Sequence, residues 1–189
     1  EDPVVVVGGH RVKLWRDLED LLAPRAVLMR GLGDAIIEDL TFNYTDLIGF
    51  YQPETIVVLP GNSEFHLRDN KSPQDLAAAL RELVAVDATY DITRKVYVFA
   101  PLKTLLHPQD YPVIEESTDL LQAWAETDHR VEILDANPLL FDTEGNPSAN
   151  FFLADGVNLN ELGYLRLSML LRTQMEADAM ALAGNNTVP

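Results

Sequence analysis

Cysteine is absent from the 189 residues, which removes disulfides, thiolate nucleophiles and Cys-based metal sites at once. That absence is compatible with the cytoplasm, the periplasm or the exterior. Positive charge is scarce: 14 Lys and Arg stand against 30 Asp and Glu, a formal charge of −16. Such a field repels nucleic acid and anionic membrane, so neither is an expected partner, while neutral and cationic ligands are tolerated. No apolar run is long enough to span a bilayer, and there is no low-complexity stretch and no internal repeat. Methionine is missing from the first position, where the chain reads Glu1-Asp2-Pro3. Secretion with removal of a signal peptide is one explanation and a trimmed chain is the other; the first is preferred, giving an expected periplasmic or extracellular location.

Apolar residues make up 47% of the chain, enough for one domain with a substantial core. Val4 to Val7 is an apolar run closed by Gly8-Gly9, the pattern of a strand buried on both faces. Four further strands are expected at 26–29, 55–60, 95–100 and 131–134. Helical periodicity fills the gaps: Val12 to Leu22 as one helix ended by Pro24, a helix from Asp34 as far as Tyr51, and a helix opened by Ser72-Pro73. Two more span roughly 113–127 and the segment after Tyr164, where Leu165, Leu167, Met169, Leu170 and Leu171 form the expected apolar face. Residues 1–182 read as a single domain and 183–189 as a loose tail.

Five alternations of strand and helix are the pattern of an open parallel sheet with helices on both faces. Right-handed crossovers put every strand's carboxyl end on one edge, where ligands bind in such folds. Residues 8–11, 31–34, 61–66 and 154–158 are therefore expected to share a cleft. The candidate lining residues are Gly9, His10, Asp34, Asn62, Ser63, His66, Asp155 and Asn158.

Those segments carry a resemblance. Phe151 to Tyr164 contains Asp155-Gly-Val-Asn158-Leu-Asn160-Glu-Leu-Gly163-Tyr164, which resembles the last block of the SGNH (GDSL-like) hydrolase superfamily, Asp-Gly-x-His-x-Asn-x-x-Gly-Tyr. Val7-Gly-Gly-His-Arg-Val-Lys-Leu-Trp15 is similar to the nucleophile block. Arg30-Gly-Leu-Gly-Asp34 and Pro60-Gly-Asn-Ser-Glu64 are similar to the two oxyanion-hole blocks. The resemblance implies a three-layer α/β/α sandwich on a five-stranded parallel sheet, flavodoxin-like in the manner of that superfamily. It also implies an esterase or lipase ancestry. Here the reacting groups depart from the pattern: His10 stands for the nucleophilic Ser, Asp34 for the oxyanion Gly, Ser63 for the oxyanion Asn and Asn158 for the general base His. Asp155 alone is retained.

Acyl transfer needs a base within reach of the nucleophile and donors aimed at the developing negative charge. Asn158 cannot take up a proton, and Asp34 would put negative charge beside the oxyanion. Loss of one hole donor costs about 3 kcal/mol in serine hydrolases, and loss of a triad member about 10³–10⁴-fold or more. The expected function is therefore a domain that has lost ester hydrolysis and binds a small neutral or acylated carbohydrate-like ligand, or acts as a scaffold for a protein partner. The alternative is an active carboxylic-ester hydrolase built on His10 and Asp155, or assisted by a metal. A one-residue shift could present Asn62 as a hole donor in place of Ser63.

Blander readings stand beside these. His10 can simply hydrogen-bond across the cleft, Asp34 can cap a helix, and Asp155 can accept backbone N–H groups in its turn or bond Asn158. His10, Asp34, Glu64, His66 and Asp155 could supply metal ligands, but no local His-x-x-x-His spacing supports a site, so no metal and no cofactor is expected. His66 and His107 fall in loops that could border the cleft, with plain exposure the default. His129 belongs at the opposite edge, and Trp15 and Trp124 belong to the core.

Overall fold

Valine-rich runs fix the centre of the molecule. The structure, a computed structural model, describes residues 3–186. Strands β1 (Val4–Gly8), β2 (Val27–Gly31), β3 (Thr55–Leu59), β4 (Lys95–Phe99) and β5 (Val131–Leu134) pair in parallel in the order β2-β1-β3-β4-β5. The register runs Val5 opposite Leu28 and Ile56, and Val98 opposite Ile133. Side chains alternate across a strand, so the sheet feeds two cores. Val5, Val7, Ile56, Val58, Val96 and Val98 face one way, towards Ile37, Leu40, Leu76, Leu80, Leu121 and Trp124. Val4, Val6, Val57, Leu59, Tyr97 and Phe99 face the other, towards Trp15, Leu18, Tyr164, Leu167 and Leu171. The expected α/β/α sandwich is what forms, and both tryptophans are in the core.

Seven α-helices among the described residues supply the outer layers: α1 (His10–Leu14), α2 (Leu18–Leu22), α3 (Ile37–Phe42), α4 (Tyr44–Leu47), α5 (Pro73–Ala88), α6 (Tyr111–Ala125) and α7 (Glu161–Asn185). Helix α5 starts as its sequence requires: Ser72 Oγ accepts from Asp75 N–H, Asp75 accepts from Ser72 N–H, and Pro73 opens the first turn. None of the helices among the described residues is long and apolar enough to cross a membrane.

Several boundaries differ from the sequence expectation, each for a local reason. The helix expected over 12–22 is two helices, because Asp17 adopts a left-handed φ of 65°. Just before it, Trp15 is pinned: its indole N–H donates to Ser168 Oγ at 2.9 Å and its ring stacks on Tyr164. The helix expected from Asp34 starts at Ile37 and breaks at Asn43, whose side-chain NH₂ donates back to Asp39 O at 2.8 Å. Asp34 is not its cap; Asp39 holds the Ile36 N–H instead, at 3.0 Å. On α7 the buried face is Tyr164, Leu167, Ser168, Leu171 and Met175, whereas Leu165 and Met169 are exposed. That spacing of three and four is the one a sheet-facing helix requires. Residues 183–185, expected in a loose tail, continue α7; residues 187–189 lie outside the described residues.

Candidate functional site

The carboxyl ends of β1, β2 and β3 meet as expected. Leu32 N–H donates to Gly8 O at 2.9 Å, tying the turn after β2 to that after β1. Gly9 sits so close that a Cβ there would lie 3.1 Å from the backbone of Ala35 and 3.2 Å from Gly33 O. Any side chain would wedge the two loops apart. The turn after β3 joins through Arg11, whose guanidinium donates to Asn62 Oδ1 at 2.9 Å and to Pro60 O at 3.4 Å.

Arg11 is a residue the sequence reading passed over. It is 5% exposed, and burial pulls its guanidinium down to about 10 against the opposing influence of Tyr164. It remains a cation at neutral pH. Tyr164 donates its hydroxyl to Arg11 O at 2.8 Å, so the start of α7 buttresses the same corner. Gly163 allows this, since a Cβ at 163 would lie 2.4 Å from Phe151 O.

On this corner His10 is exposed and its ring makes no hydrogen bond or ion pair among the described residues. Asp34 is exposed too, with Arg68 Nη1 4.0 Å from its carboxylate. Ser63 is buried, while Asn62 is half-buried with its amide oxygen committed to Arg11 and its NH₂ without a partner among the described residues. If either residue serves as a donor at this rim, Asn62 is the better placed.

The fourth segment, 154–158, is built differently. Asp155 Oδ1 accepts from the N–H groups of Val157 and Asn158, both at 2.9 Å, and Oδ2 accepts from Asn158 Nδ2 at 2.6 Å. The two backbone bonds, with that side-chain bond behind them, hold the Asp155 carboxyl below its usual range. Both oxygens are therefore engaged inside one turn. That turn leans on the loop after β4: Leu106 N–H donates to Gly156 O at 3.1 Å. Among the described residues no hydrogen bond or ion pair joins Asp155 to His10.

Glu64, a conceivable metal ligand by sequence, is fully buried and structural. Ile37 N–H points at both its oxygens at 3.2 Å, and Lys71 Nζ lies 3.0 Å away. His66 belongs with residues of another loop: its Nε2 donates to Asp110, and its ring lies 4.4 Å from that of His107. Neither pairing was legible, since the three residues come from two loops. A separate groove of about 270 Å³ lies between α1–α2 and the start of α7, bordered by Leu14, Leu21, Leu153, Tyr164 and Leu165; none of the eight expected cleft residues lines it.

No protein-family profile and no curated protein sequence matches the chain. Solved structures do. A lipase/acylhydrolase from Enterococcus faecalis superposes with a TM-score of 0.77 at 17% identity, covering 94% of this chain and 97% of that one. A GDSL-like lipase from Bacteroides thetaiotaomicron gives 0.73 at 14% identity, over 94% and 89% of the two chains. A catalytic mutant of an acetylxylan esterase from Geobacillus stearothermophilus gives 0.71 at 13% identity, over 90% and 92%. With the sheet order and the placement of its rim loops, the chain has the fold of the SGNH (GDSL-like) hydrolases.

Proposed function

We propose that this chain is an SGNH-hydrolase relative that no longer hydrolyses esters and instead binds a small neutral ligand at its rim. The observation that carries the reading is the Asp155–Asn158 pair. Where the resemblance implies an Asp that orients a His base, an amide NH₂ fills the same bond at 2.6 Å. An amide in that place has no proton-accepting nitrogen, so nothing there can deprotonate a nucleophile or protonate a leaving group. His10 has no carboxylate to orient it, and both oxygens of Asp155 are engaged, which argues against a dyad of the two.

What remains suits binding. The rim offers the Asn62 NH₂ and the exposed His10 ring beside the buried Arg11 cation, and the 154–158 turn adds the Asn158 amide oxygen. Neutral polyhydroxylated molecules are recognised by such fixed donors and acceptors. The acetylxylan esterase among the structural neighbours makes an acylated carbohydrate a reasonable first class to try.

Short-chain aryl esters test the loss of chemistry. The native chain is expected to show no turnover above buffer, and the fourfold variant His10→Ser, Asp34→Gly, Ser63→Asn, Asn158→His to gain measurable turnover. Native turnover that disappears in His10→Ala would overturn the reading. Titration with an acetylated xylo-oligosaccharide tests binding. Asn62→Ala is expected to weaken it about tenfold, or about 1.4 kcal/mol.

A further inference from the structure

Four histidines are spread along the sequence, yet two of them meet in space. His66, in the loop after β3, and His107, in the loop after β4, have ring centroids 4.4 Å apart and planes inclined by 33°. Asp110, just ahead of α6, accepts a hydrogen bond from His66 Nε2. One ligand atom from each of the three lies within 4.8 Å of the others. We propose that His66, His107 and Asp110 form a binding site for a divalent transition ion of the Zn²⁺ class.

The donor set supports that choice. Two imidazole nitrogens and one carboxylate oxygen suit zinc and its neighbours in the first transition row, not Mg²⁺ or Ca²⁺, which prefer all-oxygen shells. Three protein ligands leave a position for water. With bonds of about 2.0–2.1 Å, tetrahedral ligand atoms lie about 3.3 Å apart. A spread of 4.8 Å closes to that by side-chain rotation, for which half-buried residues have room.

The backbone beneath is braced already. His66 N–H donates to Asn62 O at 2.9 Å, Asp110 N–H to His107 O at 3.1 Å, and Tyr111 hydroxyl to Thr104 O at 2.7 Å. Outer-sphere support is one amide turn away: the Gln109 side-chain NH₂ lies 3.2 Å from His107 Nδ1. With its oxygen turned to that nitrogen it accepts the Nδ1 proton and leaves Nε2 for the metal. Binding exchanges the His66–Asp110 hydrogen bond for two metal bonds, the His66 proton moving from Nε2 to Nδ1 as the ring changes tautomer.

An ion there would staple the loop carrying Asn62 and Ser63 to the loop that supports Gly156, so it would order the rim without belonging to the Asp155–Asn158 turn. The proposal goes beyond the loss of ester hydrolysis and does not rest on it.

The test is calorimetric titration of chelator-treated protein with ZnCl₂, repeated with MgCl₂ and CaCl₂. One equivalent of Zn²⁺ is expected to bind at micromolar concentration or below, with no saturable Mg²⁺ or Ca²⁺ uptake. His66→Ala, His107→Gln and Asp110→Ala should each weaken it at least tenfold, while His129→Ala, outside the cluster, should leave it unchanged. At a hundredfold excess over Kd the melting temperature should rise by roughly 5–10 °C. Co²⁺ added to the native protein should give the visible bands of a four-coordinate site, a readout that does not depend on any variant folding. Absence of one-equivalent binding, undiminished binding in His107→Gln, or loss of binding in His129→Ala would each overturn the proposal.

Discussion

The two edges of the sheet treat polar side chains in opposite ways. At the amino edge, Asp87 is 1% exposed and its carboxylate accepts from Tyr44 hydroxyl, from Thr93 Oγ1 at 2.7 Å and from Arg130 Nη1 at 2.9 Å. Thr93 also reaches Pro53 O at 3.0 Å, and Arg130 reaches Val84 O at 3.2 Å. Burial, followed by the neighbouring carboxylate, pushes the Tyr44 phenol well above its usual range. At the carboxyl edge, the His10 ring bonds nothing among the described residues and Asn62 keeps an unused NH₂. A closed network can contribute only stability, because its donors and acceptors are already matched. An open rim contributes little stability and keeps polar atoms available to a ligand.

The largest effect should come from breaking the closed edge. Asp87→Ala leaves Arg130 and two hydroxyls without their shared acceptor, and loss of one partner from a buried ion pair costs about 3–5 kcal/mol. For a chain of this length that lowers Tm by roughly 10 °C in a calorimetric or circular-dichroism melt. A loss below about 1 kcal/mol would mean the two edges do not differ as described.

Lys71 sharpens the comparison, because it is where a rim loop does bury charge. Its ammonium is 2% exposed and lies 2.8 Å from Asp69, 2.9 Å from Glu38 and 3.0 Å from Glu64. Burial would depress it, but the three carboxylates outweigh that and hold its pKa above the usual range. Lys71→Met strands the fully buried Glu64 with only the Ile37 N–H, and should cost about 3 kcal/mol. Adding Glu64→Gln should recover part of that loss, a coupling that a double-mutant cycle measures.

Smaller again is Gly163→Ala. A methyl group 2.4 Å from a carbonyl oxygen forces the chain at Phe151 or the start of α7 to move, an overpacking cost of about 1–3 kcal/mol. If the buttress through Tyr164 matters to the rim, ligand affinity should fall along with Tm in this variant.

How much of this was legible depended on the range of the interaction. The strands could be read because parallel strands buried on both faces need continuous apolar runs, and Val4–Val7 or Ile56–Leu59 leave little else to be. The cap at Ser72 was legible because Ser, Pro and Asp act within four residues. So was the structural role of Asp155, whose partners lie two and three positions away. What sequence could not give were contacts set by tertiary packing. Trp15, at the break between α1 and α2, is pinned by Ser168, 153 residues on. Arg11 looks like a surface base, yet Pro60 and Asn62, about fifty positions away, bury it. His66 and Asp110 are 44 residues apart and meet only because β3 and β4 are neighbours in the sheet.

The smallest effect concerns the Asp155–Asn158 turn. Asp155 accepts two backbone N–H bonds and one amide bond, but it is exposed, so solvent competes for each and Asp155→Ala should cost under about 1 kcal/mol at neutral pH. Its native pKa is depressed, so the folded state favours the carboxylate. That contribution is complete above the unfolded-state value of about 3.9 and is lost as pH falls through the lower native value. Melts of native and Asp155→Ala protein should therefore differ by a constant small Tm from pH 7 to about 5 and converge below about pH 3.9. Asn158→His should behave differently: an imidazole beside the same carboxylate restores a titratable pair, and its charged form would add stability on the acid side of neutrality that the native amide cannot supply.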